Sequence, residues 1–192
     1  MNTTAPAPAA APEPLLTAEE FMKLHDSETR VELFRGRVVR YAMPQGPHGY
    51  ICSNAGGIIR NFARAHKLGR VFTNDTFVRV RLKEPTDTVR GADVAFVSYA
   101  KMPPGDVPAG ALPAPELVIE VRSPSDRIAQ LSAKASEYLE AGVTVVVVID
   151  PDTQSLAVYR ENEFPIRMHN GDELTLPDVL PGFAVRVSQF FE

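Results

Sequence analysis

Two carboxylates stand where carboxylates are costly. Asp93 opens the apolar run of GADVAFVS, and Glu120 sits inside ELVIEVRSPSD among Leu117, Val118, Ile119 and Val121, the composition of a buried strand. A buried, unpaired carboxylate is strongly disfavoured, so Glu120 needs a cation, a hydrogen-bond donor or a metal beside it. Two acids on neighbouring strands can hold one divalent cation through oxygen ligands and retained waters, the coordination that magnesium prefers. The competing reading pairs Glu120 with an arginine such as Arg122, which shares its in/out parity along the strand.

Lys134 offers a second cation. On the helix expected after SPSD, Ile128, Leu131, Ala135, Tyr138, Leu139 and Gly142 form the buried stripe. Lys134 lies at its edge, roughly 40° from Tyr138 at about 100° per residue. From there it either reaches the strand carrying Glu120 or snorkels to the surface. Glu32, after Arg30 in a hairpin strand, reads as an exposed acid or as a further acid of a metal shell. His48, at a helix start, is a cap or loop residue or a functional one. The basic residues Arg60, Arg64, Lys67, Arg70, Arg79, Arg81 and Lys83 read as solvated surface, with a phosphate track as the alternative.

The elements that must position these side chains are legible in the patterning. MNTTAPAPAAAPEP is Pro/Ala-rich with nothing to bury, so residues 1–16 are expected to be a flexible tail and residues 17–192 a single domain. Thr17 and Glu20 offer a capping box for a short helix. RVELFRGRVVRYAM reads as a hairpin turning at Arg35-Gly36. Apolar spacing from His48 to Leu68 predicts a long amphipathic helix ended by Gly69, with Gly56-Gly57 marking a close contact. Alternation in VFTNDTFVRVRL predicts a strand with one wet face. GADVAFVS, LVIEV and TVVVVID follow as buried strands, with a proline-rich loop, Pro103 to Pro115, before LVIEV. Helices interspersed among strands give an α/β fold with a central mixed sheet flanked by helices, plus an N-terminal helix and hairpin.

Composition narrows the function. A formal charge of −4 gives no global attraction to nucleic acid, so phosphate contacts must be local. The single Cys52 excludes an internal disulfide and a zinc site built from cysteines, and is expected to fill the core. The chain shows neither a membrane span nor a signal peptide, which suits the cytoplasm.

VELFRGRVV, GADVAFVS, APELVIEVRSPSD, SAKASEYLEAGV, TVVVVIDPDTQSLAVYR and LPGFAVRVSQFF follow one another in the order and spacing of a bacterial family. The chain resembles the restriction-endonuclease-like proteins of the PD-(D/E)XK nuclease superfamily over nearly all of residues 17–192. The resemblance implies a restriction-endonuclease-like core in which Asp93 and Glu120 match the magnesium-binding acids. Lys134 matches a lysine moved onto the following helix, Glu32 an upstream acid, and His48 an accessory histidine. Ala92 stands where relatives have proline. Arg122 occupies the superfamily's lysine position and could replace, assist or crowd Lys134.

The expected activity is magnesium-dependent hydrolysis of DNA phosphodiesters, with Mn2+ able to substitute. The catalytic residues are then Asp93, Glu120, Lys134, Arg122 and Glu32, with Asp93, Glu120 and Glu32 on the metal. One alternative is a catalytically impaired nuclease fold acting as a nucleic-acid-binding or scaffolding partner; another is a hydrolase of a smaller phosphodiester. A homodimer is expected from the exposed edges of a small sheet.

Overall fold

The computed structural model describes residues 14–24, 30–43, 45–80, 86–124 and 126–192. Most of the expected tail, Arg81 and Lys83 therefore lie outside the described residues.

Local chemistry sets the first elements. Thr17 Oγ1 accepts from the Glu20 amide, and the Glu20 carboxylate accepts from the Thr17 amide at 2.8 Å, completing the capping box of α1 (Ala18–Phe21). Leu16, placed in the tail by composition, donates its amide to the Gly36 carbonyl at 2.8 Å and packs with Phe21 and Leu33. The described structure thus reaches back into the expected tail. Strands β1 (Arg30–Phe34) and β2 (Arg37–Tyr41) form the hairpin, with Arg35 and Gly36 at φ 49° and 75°, the hand that a two-residue turn between twisted strands requires.

Helix α2 (Gly46–Ala65) starts with Pro47 in its first turn, where the missing amide is harmless. It does not end on Gly69. Lys67 makes the left-handed turn at φ 53°, and Gly69 opens β3 (Gly69–Val80), where an added Cβ would collide with the Val97 carbonyl. Of the two helix glycines, Gly56 marks the close contact, since a Cβ there would lie 2.8 Å from Thr73 Cγ2; Gly57 faces open space.

The remaining elements are β4 (Thr88–Ser98), β5 (Leu117–Val121), α3 (Ile128–Glu140), β6 (Val145–Asp150), β7 (Ser155–Tyr159), β8 (Ile166–His169), β9 (Glu173–Thr175), β10 (Ala184–Arg186) and a 3-10 turn over Val187–Phe190. The main sheet runs β2-β1-β4-β5-β6-β7-β8, with β3 also on β4 and the β5–β6 pair parallel. Helix α2 and the C-terminal segment cover Val94, Phe96, Ile119 and Val121 on one face. Helix α3 covers Ala95, Val97 and Val118 on the other. Burial on both faces explains why β4, β5 and β6 read as continuous apolar runs.

Strand β4 organises the site because three strands share its two edges. Strand β3 pairs along it from Thr88 to Ser98. On the other edge β1 pairs through Leu33 and Val89, while β5 pairs with Val94, Ala95 and Phe96. Between these two partners the edge forks, leaving residues 90–93 open to side chains. Across β4, strand β3 bulges: Thr73 faces Val94 and Thr76 faces Ala92, so Asn74 and Asp75, at φ 66° and 55°, oppose Asp93. Asp93 consequently lies within β4, not at its start.

Candidate active site

The fork gathers two of the expected acids around one ammonium. From the middle of α3, Lys134 places Nζ 2.9 Å from Glu120 Oε2, 3.1 Å from Glu32 Oε1 and 3.0 Å from the Gly91 carbonyl. Alternation turns Glu120 to the α3 face of β5, where the Tyr138 hydroxyl donates to its Oε1 at 2.9 Å. Lys134 and Tyr138 stand one helical turn apart, so one face of α3 grips both oxygens of Glu120. The partner of Glu120 is therefore Lys134 rather than Arg122.

Glu32 is held as firmly. Its Oε1 also accepts from the Gly91 amide at 3.1 Å, and its Oε2 accepts from Arg90 at 3.0 Å; Arg90 continues to Glu137. Asp93 occupies the mouth of the fork. Its Oδ2 accepts from the Val121 amide at 2.7 Å and lies 3.3 Å from His48 Nε2, while its Oδ1 lies 3.5 Å from Arg30 Nη2. Arg30 also stands 2.7 Å from Asp75 Oδ1, a buried oxygen that receives no hydrogen bond.

These contacts set the charge states. Burial would raise Glu32, but Lys134 and Arg90 outweigh it and hold the carboxyl below its usual range. Asp93 behaves likewise: burial opposes ionisation, and the His48 hydrogen bond and Arg30 overcome it. Glu120 goes the other way, pushed up to about 7 by burial, with Lys134 opposing and Asp93 and Glu32 adding to the rise. Asp75 is raised by burial and by Asp93, against the pull of Arg30. His48 is raised despite burial because Asp93 accepts from it. Glu120 and Asp75 resist ionising first because they are buried, with neighbouring carboxylates adding to the rise, and a cation bound beside them would favour their charged forms.

Asp75, Asp93 and Glu120 are hard oxygen donors of the kind magnesium takes, but among the described residues their ligand atoms do not converge within 4.8 Å: Asp75 Oδ1 is paired with Arg30, and both Glu120 oxygens are bonded to Lys134 and Tyr138. Glu32 also anchors Lys134, its oxygens accepting from Lys134, Gly91 and Arg90 just as those of Glu120 accept from Lys134 and Tyr138. Two clefts meet at Asp93. One of about 480 Å3 is lined by His48, Cys52, Arg60 and Asp75; the other, of about 320 Å3, by Glu32, Glu120 and Lys134.

Arg122 is not brought in: its guanidinium turns to Asp150 at 3.1 Å and Asp152 at 2.9 Å beyond the end of β5, so it neither replaces nor crowds Lys134. Of the basic cluster, Arg79 is tied to Glu19 and Asp87, Arg70 to the Pro103 and Gly105 carbonyls, and Arg60 lines a cleft. Cys52 packs against the core on the α2 side and also lines the same cleft.

Asp75, Arg30 and Arg90 were not among the expected site residues. A signal for Asp75 existed, because Asn and Asp are poor strand formers that tolerate positive φ, and Asn74-Asp75 interrupts an alternating run. Arg90 carried no such signal, since its partners Glu32 and Glu137 lie far away in sequence.

This mixed sheet flanked by helices, with acids and a lysine in a strand fork, is a restriction-endonuclease-like α/β fold. Residues 18–188 match the Uma2 family, described as "Putative restriction endonuclease", and the chain belongs to that family. It is also similar in structure to "a putative nuclease belonging to DUF820" from Anabaena variabilis, with a TM-score of 0.79 and 23% identity over 92% of this chain and 97% of that one. No curated protein matches the chain. Among the described residues, no helix is long and apolar enough to cross a membrane.

Proposed function

We propose that the protein is a magnesium-dependent endonuclease that hydrolyses DNA phosphodiesters, with manganese able to substitute. The observation that carries this reading is the convergence of Glu120, Lys134 and Asp93 on one strand fork, Lys134 Nζ lying 2.9 Å from Glu120 and the amide next to Glu120 holding Asp93 at 2.7 Å. Membership of the Uma2 family supports it.

Asp93, Asp75 and Glu120 would hold the ion. A magnesium ion in such a site lowers the pKa of a bound water and offsets charge on the phosphate. The chain's own residues do the rest. Lys134 steadies Glu120 in its ionised form and supplies a fixed positive charge facing the cleft. His48, held by Asp93, offers a proton donor at Nε2. Arg60 gives the α2-side cleft a cation for a phosphate neighbouring the scissile one. Two copies joined through the edge strand β8, where Ile166 is exposed next to the exposed Phe164, would present two sites to two DNA strands.

The test is plasmid nicking with and without Mg2+ or Mn2+, comparing the wild type with Asp93→Asn and Glu120→Gln. Cleavage lost in both variants and in chelator supports the reading; cleavage retained in both rejects it. One feature favours the second reading, a non-catalytic nucleic-acid-binding protein: Lys134, Tyr138, Arg90 and Gly91 already occupy every oxygen of Glu32 and Glu120. Salt-sensitive DNA binding without metal-dependent cleavage would select it.

A further inference from the structure

We propose that His48, Cys52 and Asp93 form a site for a borderline divalent cation such as zinc, and that this site competes with magnesium for Asp93. The site stands on its own geometry; only the competition rests on the nuclease reading.

His48 and Cys52 occupy successive turns of α2 and therefore share a face. That face looks across the cleft at Asp93. The ligand atoms of the three residues all lie within 4.8 Å of one another, and among the described residues this is the single group of three that does so. His48 Nε2 is 3.3 Å from Asp93 Oδ2 and 3.9 Å from Cys52 Sγ. Tetrahedral zinc with bonds of about 2.0–2.1 Å to nitrogen and oxygen and about 2.3 Å to sulfur sets its ligands roughly 3.3–3.6 Å apart. The nitrogen and oxygen already have that separation, and the sulfur, 3.9 Å from Nε2 and within 4.8 Å of the carboxylate, needs to move inward.

The donor types agree with the spacing. Magnesium takes oxygen ligands, whereas imidazole, thiolate and carboxylate together suit zinc or cobalt. The Val121 amide, at 2.7 Å from Asp93 Oδ2, fixes the carboxylate in the way that outer hydrogen bonds orient metal ligands. Cys52 is partly exposed to the cleft, and the cleft leaves a fourth position for water. Binding releases to solvent the thiol proton, as the sulfur–metal bond forms, and the Nε2 proton that His48 donates to Asp93, as the nitrogen–metal bond replaces that hydrogen bond. A single cysteine rules out cysteine-rich sites, but this mixed set requires only one.

The consequence is regulatory. An ion bound through Asp93 Oδ2 to His48 and Cys52 withdraws that oxygen from the magnesium set, so zinc acts as an inhibitor and not as a substitute.

Cobalt titration of the metal-free protein tests the site directly. One equivalent of Co2+ is expected to produce a near-ultraviolet sulfur-to-cobalt charge-transfer band, which zinc abolishes by displacement. In Cys52→Ser, which keeps the side-chain size, the band is lost and zinc affinity falls about 10–100-fold, with circular dichroism reporting the intact fold. A wild-type cobalt complex without the thiolate band, or equal zinc affinity in Cys52→Ser, overturns the site. Calorimetric titration of magnesium into zinc-loaded protein tests the competition: undiminished magnesium binding overturns it. If magnesium fails to bind the zinc-free protein as well, the nuclease reading and the competition fall, while the cobalt band still decides the site.

Discussion

Lys134 Nζ lies 2.9 Å from Glu120 Oε2 although the two residues belong to different elements, one in helix α3 and the other in strand β5. The ammonium is shared with Glu32 at 3.1 Å, so one buried cation balances two buried carboxylates across the fork. Burial opposes the charged lysine, and Glu120 and Glu32 outweigh it, leaving Lys134 raised above its ordinary range.

Lys134→Met should therefore damage both stability and chemistry. Removing one partner of a buried ion pair costs about 3–5 kcal/mol, which for a chain of this size lowers the melting temperature by about 10 °C. The loss should be smaller at pH 5 than at pH 8, because Glu120 can take a proton when its cation is gone. Cleavage should fall about 10²–10³-fold, the usual consequence of removing one preorganised positive group. Calorimetric melting at the two pH values and single-turnover cleavage check both effects.

Glu120 gives a pH signature of the metal-free protein. Its folded pKa, about 7, exceeds the ordinary 4.5, so between those values the folded state binds more protons than the unfolded one. Stability then falls as pH rises through this window, by about 3 kcal/mol in all. His48, also raised, acts in the same direction above its ordinary 6.5. Asp93 and Glu32, both lowered, act oppositely, contributing stability above their unfolded values that is lost as pH falls through their folded ones. Urea unfolding in chelator should show lower stability at pH 8 than at pH 5.5, and Glu120→Gln should flatten that slope. A wild-type slope unchanged by the substitution would show that Glu120 is not the titrating group.

Much of this arrangement was legible in the residues, and the misses share one cause. Glu120 announced itself as a carboxylate inside an apolar strand, and the 3.6-residue period placed Lys134 beside the buried stripe that faces it. The capping box at Thr17 and the hairpin turn at Arg35-Gly36 are likewise local chemistry, set by residues within a few positions of each other. What the sequence did not reveal depends on which strands meet. The bulge that presents Asp75 requires β3 to pair with β4 out of step, and the role of Arg90 requires β1 and α3 to converge on it. Arg122 was misplaced for a related reason: strand parity gave its face, but the chain leaves β5 at Val121, and Asp150 on neighbouring β6 captures the guanidinium.

Tyr138→Phe isolates the other grip on Glu120. The hydroxyl donates to Glu120 Oε1 at 2.9 Å in a fully buried position, so its removal leaves a carboxylate oxygen without a partner, at a cost of about 1–3 kcal/mol. Losing that donor disfavours the ionised carboxylate, so the Glu120 pKa should climb. The acidic limb of the cleavage pH profile should move upward while the rate on the alkaline plateau changes little. A purely structural role for Tyr138 would lower the melting temperature without moving the limb.

Asp75 separates stability from function. Its folded pKa is raised by burial and by Asp93, despite Arg30, so the ionised form is disfavoured in the metal-free fold. Asp75→Asn removes that charge while keeping the side-chain shape, and the metal-free protein should melt at a higher temperature than the wild type. The same change takes away an oxygen donor and the negative charge that favours a cation, so magnesium binding should weaken about tenfold or more, a loss of at least about 1.4 kcal/mol. Glu32→Gln is the contrasting variant: it disturbs the anchor of Lys134 and should lower the melting temperature, with a smaller effect on magnesium affinity. Thermal melting in chelator and magnesium calorimetry on both variants decide the matter. Asp75→Asn binding magnesium as well as the wild type would remove Asp75 from the metal set, and a larger affinity loss in Glu32→Gln would return Glu32 to it.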